Sequence, residues 1–252
     1  MKRNALIATI TALALIVLLW FLAYGRSTDV DRGTAPPTPQ VRAPIPTDAN
    51  IVFRWAFDGD LSEAKHPGLT GTGTNISFAP SRNGGQACVF NGTNSMVVVP
   101  HHDDFSALPA FSVSAWIRLN AKKTQYVLKK GASLRELESP VGLSFSQTGD
   151  AIFSVHREGT GYGDQVRHTG YALGRWVHLA GVFDRTVVRL FVDGKQVGEE
   201  PCTGSPHTNT EAFIIGSRLG LPADTLDGMI DDLTVYNRAL TNQEIASEFG
   251  RN

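Results

Sequence analysis

From Ile51 to Tyr236 the chain keeps returning to one pattern, a short run in which every second residue is apolar, closed by a turn signal. A period of two is the repeat of a β-strand with one face in a core, because successive side chains leave opposite faces of the pleat. Ile51, Phe53, Trp55 and Phe57 alternate with Val52, Arg54 and Ala56 until Asp58-Gly59-Asp60 stops them. Phe111, Val113, Ala115, Ile117 and Leu119 alternate with Ser112, Ser114, Trp116 and Arg118. Ala87–Phe90 and Met96–Val99 flank Asn91-Gly92, and Val187–Val192 runs into Asp193-Gly194. Both dipeptides suit two-residue hairpin turns, which need positive φ. Tyr126–Leu128, Val141–Phe145, Ala151–Val155, Phe213–Ile215 and Met229–Tyr236 add further strands, and the long apolar run Trp176–Phe183 reads as a central strand buried on both faces. With no long helical period, the pattern predicts an all-β fold, an antiparallel jelly-roll β-sandwich over residues 51–252.

One short helix is predicted at the C-terminus. Thr241-Asn242-Gln243-Glu244 is a capping box, in which the threonine hydroxyl accepts from the Glu244 amide while the glutamate reaches back to the cap. Leu240 and Ile245 can form a hydrophobic staple, and Ile245 and Phe249 share a face, so the helix should close the sandwich.

The N-terminal fifth has another texture. Lys2 and Arg3 precede Ala5–Ala23, a run without charge that as a helix spans about 28 Å at ~1.5 Å per residue, close to the thickness of a bilayer core. The sequence therefore predicts an N-terminal transmembrane helix through residues 5–23, with the positive end cytoplasmic and the rest of the chain extracytoplasmic. Trp20, Phe21 and Tyr24 suit an interfacial belt and a retained anchor, whereas Ala23-Tyr24-Gly25 suits signal cleavage and a secreted or periplasmic product. Residues 26–50, with Pro36, Pro37, Pro39, Pro44 and Pro46, read as an extended linker. The division expected is an anchor or signal peptide over 1–25, the linker over 26–50 and the sandwich over 51–252. With 23 basic and 24 acidic residues the chain has no field to hold nucleic acid or an anionic lipid surface.

Several stretches closely resemble the laminin-G-like domains of the concanavalin A-like lectin/glucanase superfamily, of the kind common in bacteria. Gly228-Met229-Ile230-Asp231-Asp232-Leu233-Thr234-Val235-Tyr236-Asn237-Arg238-Ala239-Leu240, followed by Glu244-Ile245, is similar to that family's C-terminal signature. Phe111–Ile117, Trp176–Phe183 and Phe191-Val192-Asp193-Gly194 resemble its central landmarks, and Val89–Gly92 with Met96–Pro100 its early hairpin, all in the expected order. Five landmarks in sequence imply the fold but not the ligand. Many relatives carry an Asp-rich, Ser-Gly turn after the first strand; here Glu63-Ala64-Lys65-His66-Pro67-Gly68 stands there without an aspartate.

Three sets of residues invite a functional reading. Alternation puts Asp231 on the face of Met229, Leu233 and Val235, where a carboxylate must be paired, hydrogen-bonded or bound to a metal. It is either a calcium ligand, joined by Asp58, or a structural group tied to backbone amides or to an arginine or histidine of the sheet. The irregular stretch His156–Tyr171 gathers His156, Arg157, Tyr162, Asp164, Arg167, His168 and Tyr171 among glycines, a composition suited to a sugar or peptide and equally to a solvated hairpin. Cys88 and Cys202 either pair as a disulfide outside the cytoplasm or are an apolar strand residue and an unrelated loop thiol. His178, inside an apolar strand, reads as structural. Glycosidases of the superfamily pair carboxylates along one strand as Glu-x-Asp-x-x-Glu, an arrangement missing here, and Glu136 and Glu138 have no third member. The expected function is a non-catalytic binding module for a glycan or an envelope or extracellular protein, with a structural assembly role as the alternative and a polysaccharide hydrolase behind both.

Overall fold

The computed structural model describes residues 49–251 apart from 107, 132–138, 160–162, 171 and 219–221. The apolar run 5–23 and most of the linker 26–50 lie outside the described residues; among those described, no helix is long and apolar enough to cross a membrane.

Two antiparallel sheets carry the fold. The larger has eight strands, in spatial order β13 (Lys195–Pro201), β12 (Val187–Val192), β11 (Trp176–Phe183), β6 (Phe111–Leu119), β15 (Asp227–Tyr236), β4 (Gln86–Asn91) and β3 (Ser77–Pro80), with β1 (Ile51–Trp55) also paired to β15. The smaller has seven: β10 (Asp164–His168), β9 (Ala151–Val155), β8 (Gly142–Phe145), β7 (Gln125–Lys130), β14 (Phe213–Ile215), β5 (Met96–Val99) and β2 (Thr72–Thr74). Their facing surfaces bury one cluster in which Phe53, Trp55, Phe111, Val113, Ile117, Phe153, Leu179, Phe183 and Phe213 meet. The alternation in the sequence thus sorts side chains as two stacked layers require. Gly181 belongs to this interior because a Cβ there would lie 2.1 Å from the Phe153 ring; the missing side chain lets the sheets approach.

The predicted central strand β11 is buried on both faces for a specific reason. Val177, Leu179 and Phe183 join the inter-sheet core, while Ala180 and Val182 lie on the outer face beside Phe191, Tyr236, Leu240 and Ile245. The C-terminal helix α1 (Asn242–Phe249) brings Ile245 onto that face, and Thr241 and Glu244 form the reciprocal capping box read from the sequence.

Of the two turn dipeptides, one makes a hairpin. Asp193 (φ 48°) and Gly194 (φ 76°) both take positive φ and join β12 to β13. Asn91-Gly92 instead marks a crossing: β4 belongs to the larger sheet and β5 to the smaller, so the expected pairing of Ala87–Phe90 with Met96–Val99 does not form. The Asn91 carboxamide accepts from the amides of Thr93 and Asn94, and the Asn91 amide donates to Ser95 Oγ, which builds the corner.

β15 departs from simple alternation as well. Its ladder with β6 skips between Asp231 and Thr234, and Asp232 sits at φ 51°, the mark of a bulge. Ile230, Leu233 and Val235 therefore all enter the core. Asp231, paired with the outward Trp116, points away from Leu233 and Val235 rather than sharing their face as alternation predicts.

Cys88 and Cys202 are both buried and unbonded, so of the two readings the unpaired one holds. Cys88 lies in β4 and Cys202 directly follows β13, with β15, β6, β11 and β12 between them. Five inter-strand steps amount to ~24 Å, several times the Cα separation a disulfide bridges.

Candidate functional site

Strand register builds a polar floor on the outer face of the smaller sheet. Gln165, Ser154, Gly142 and Lys129 stand side by side across β10, β9, β8 and β7, and Arg167, Ile152, Ser144 and Tyr126 form the next row. These positions line a groove of ≈ 300 Å³ together with Thr124, Ser146, Gln147 and His156. Two glycines keep the floor low, since a Cβ on Gly142 would lie 2.6 Å from Ser154 Oγ and one on Gly163 2.6 Å from the His156 ring.

His156 closes one end. Its Nδ1 lies 2.8 Å from the Ser139 carbonyl oxygen, and because a carbonyl can only accept, Nδ1 carries a proton. Arg167 Nη2 donates to Gln165 Oε1 at 3.1 Å, holding an exposed guanidinium and carboxamide together on the edge strand. Among the described residues, no aspartate or glutamate lines the groove. Its hydroxyls, amide, imidazole and guanidinium can donate to and accept from a polyhydroxylated ligand, with Tyr126 and Ile152 as apolar surface beneath. A second cavity, ≈ 310 Å³, opens among Phe105, Leu108, Pro109, Phe111 and Pro206 and offers fewer converging polar groups.

Alternation along β10 divides the predicted binding set. His156 and Arg167 reach the groove, whereas Asp164 and His168 share the inward side of Val166. Arg157 turns aside: Nε donates to Asp164 and Nη1 to the Thr203 carbonyl at 2.6 Å. Burial would raise the Asp164 carboxyl, but hydrogen bonds from Arg157 and Cys202 more than reverse this and hold it below the usual carboxylate range. Arg157, Asp164 and Cys202 thus fasten the β9–β10 connection to the segment after β13. Tyr162 and Tyr171 lie outside the described residues. Sequence reading missed Gln165, Tyr126, Ser144 and Ser154; the signal was present in the polar members of each alternating strand.

The pair proposed for calcium sits beside the β3–β4 turn. Asp58 Oδ1 accepts from the Gln86 amide at 2.9 Å. Asp231 Oδ2 accepts from Ser81 Oγ and from Arg82 Nη1 at 3.2 Å, while Asp232 accepts from Arg82 Nη2 at 3.2 Å and Arg54 Nη2 at 2.9 Å. Two guanidinium groups supply the positive charge that the buried Asp231 and the partly buried Asp232 need, and an ion beside Asp231 would face Arg82. Arg82 also stacks 4.0 Å above the Trp116 ring. His178 lies next to that ring and under Phe249, as a structural histidine would.

Comparison with known proteins places this architecture. Domain 4 of AbnA, an extracellular arabinanase from Geobacillus stearothermophilus, solved in complex with arabinotriose, superposes with TM-score 0.62 at 20% identity, covering 79% of this chain and 97% of that one. The binding domain of Paraclostridial Mosquitocidal Protein 1 gives TM-score 0.62 at 16% identity over 80% of this chain and 52% of that one. The binding domain of botulinum neurotoxin DC, in complex with rat synaptotagmin II, gives 0.58 at 11% identity over 80% of this chain and 51% of that one. The chain therefore spans about half of each toxin domain, and these likenesses establish the shared fold. No curated protein sequence matches. The model of the concanavalin A-like lectin/glucanases superfamily matches residues 91–246, from the corner after β4 into α1, and the chain belongs to that family.

Proposed function

We propose that this chain is a non-catalytic binding module that takes a glycan in the groove over β7–β10, held outside the cytoplasm by its apolar N-terminal segment. The observation that carries this reading is the register-built floor: hydroxyl, amide, imidazole and guanidinium groups of the described residues converge above an apolar base. A glycosidase needs two carboxyls flanking the bond it cleaves, and among the described residues this groove presents none. The arabinotriose complex of the AbnA domain lends support through shared architecture. The neurotoxin domain held by synaptotagmin favours a second reading, a protein partner on the same scaffold.

Titration of the full chain with panels of neutral and uronic-acid oligosaccharides separates the two. Arg167→Ala and Gln165→Ala, both at exposed positions of β10, should each weaken glycan binding about tenfold, the effect of one lost hydrogen bond to ligand. Glu199→Ala on β13 of the other sheet should leave it unchanged. If no oligosaccharide binds while crosslinking recovers a stable protein partner, the glycan reading fails.

A further inference from the structure

The segment after β1 and the segment after β5 meet at a second constellation, independent of the groove. Glu63 is buried and accepts from the amides of Arg54 (2.6 Å), Lys65 (2.9 Å) and His66 (2.5 Å), which fixes its position in the turn after β1. The same carboxylate takes the Nδ1–H of His66 at 2.6 Å. The His66 ring then projects Nε2 toward Asp104 Oδ2 at 2.8 Å. His102 packs its ring 4.1 Å from that of His66, and both rings rest on Phe53, at 5.1 and 5.9 Å, a residue wholly inside the core. One nitrogen from each histidine and one oxygen of Asp104 lie within 4.8 Å of one another.

We propose that His66, His102 and Asp104 form a site for a divalent transition metal of the zinc class. Two imidazole nitrogens and one carboxylate oxygen are the donor set such an ion prefers, whereas calcium takes six or more oxygens. The Glu63–His66 bond is the second, independent feature: a metal-bound histidine characteristically donates its other ring N–H to a carboxylate, which fixes the tautomer and strengthens the donor. Bonds of ~2.1 Å in a tetrahedron hold ligand atoms ~3.4 Å apart, within reach of the spacing found. Asp104, in the short 3-10 turn Asp103–Phe105 and with its side chain 55% exposed, can make the adjustment and leaves the fourth position to water. Without a metal the short His66–Asp104 contact requires a proton between the two atoms; the metal ion takes that proton's place. Because one segment leaves β1 of the larger sheet and the other leaves β5 of the smaller, the ion would tie together chain leaving the two layers.

The test is a titration of the tag-free, chelator-stripped full chain with Co²⁺, followed by displacement with Zn²⁺. A visible d–d band of four-coordinate intensity should grow to one equivalent and be discharged by one equivalent of Zn²⁺ with micromolar or tighter affinity, while Ca²⁺ and Mg²⁺ leave it unchanged. At a hundredfold excess over its dissociation constant, Zn²⁺ should raise Tm by roughly 5–10 °C. His102→Gln and Asp104→Ala, both at partly exposed positions, should weaken binding at least about tenfold while each metal-free variant still unfolds cooperatively. No stoichiometric Zn²⁺ binding, or a one-to-one affinity unaffected by either substitution, overturns the assignment.

Discussion

Replacing His178 with leucine removes a titration from beneath the C-terminal helix, and its size follows from the surroundings of the ring. His178 is 2% exposed, packs 5.3 Å from the Trp116 ring, and among the described residues its Nδ1 has no hydrogen-bond partner. Burial, followed by the nearby Arg82 guanidinium, pushes the imidazole down from 6.5 to about 4. Between those values the unfolded chain binds the proton and the folded chain refuses it, so stability falls as pH falls from 6.5 toward 4. Linkage makes the loss between pH 7 and pH 5 about 2 kcal/mol, reaching about 3 kcal/mol below pH 4. His66 runs the other way. Burial there opposes protonation, but hydrogen bonds to Asp104 and Glu63 outweigh it and raise the imidazole, so its contribution is complete below 6.5 and is lost as pH rises through the folded value. That contribution is common to both chains and cancels in the difference. Urea unfolding of the wild-type chain and His178→Leu, followed by tryptophan fluorescence with chelator at pH 7 and pH 5, should show the wild type losing about 2 kcal/mol more than the variant on acidification. Equal losses would refute the reasoning.

Arg82→Met should destabilise the chain by about 3–5 kcal/mol, because it leaves the fully buried Asp231 facing Ser81 without its guanidinium. Urea unfolding measures this, and a loss below about 1 kcal/mol would mean that the pair is not the carboxylate's main support. Cys88 and Cys202 are both pushed up to about 12, chiefly by burial, so neither thiol should react with a disulfide reagent at pH 8 until denaturant is added. Rapid labelling of the native chain, or an intact mass two hydrogen atoms short, would contradict the unbonded arrangement.

Much of the fold was legible because a half-buried strand writes its own period into the sequence. β6, β11 and the β12–β13 hairpin stand where alternation and turn chemistry put them, and the capping box at Thr241 stands where its spacing put it. What escaped the reading depends on distances between strands. A bulge adds one residue without changing composition, so nothing in Asp231-Asp232 announces that Asp231 leaves the face of Leu233. Asn91-Gly92 has the local chemistry of a tight turn, and only the sheet order shows that it carries the chain from one layer to the other. The composition of the stretch 156–171 suits a binding loop or a solvated hairpin, but does not show that β10 runs through it and sends Arg167 and His168 opposite ways. His66 and His102 come together because β1 and β5 leave their sheets at neighbouring points, which no local pattern records.

The place of β15 has a consequence for how the molecule is made. This strand, the last of the sandwich in chain order, lies between β6 on one side and β4 and β1 on the other, so the first strand and two that follow it wait for the sandwich's last strand. The larger sheet cannot assemble outward from the N-terminus as the polypeptide emerges; it stays open down the middle until Tyr236 is free of the ribosome or translocation pore. A product ending before Asp227 would present β6 and β4 as unprotected edges, open to another chain's strand. For this sandwich, truncation near the C-terminus is a route to aggregation rather than to a smaller folded domain.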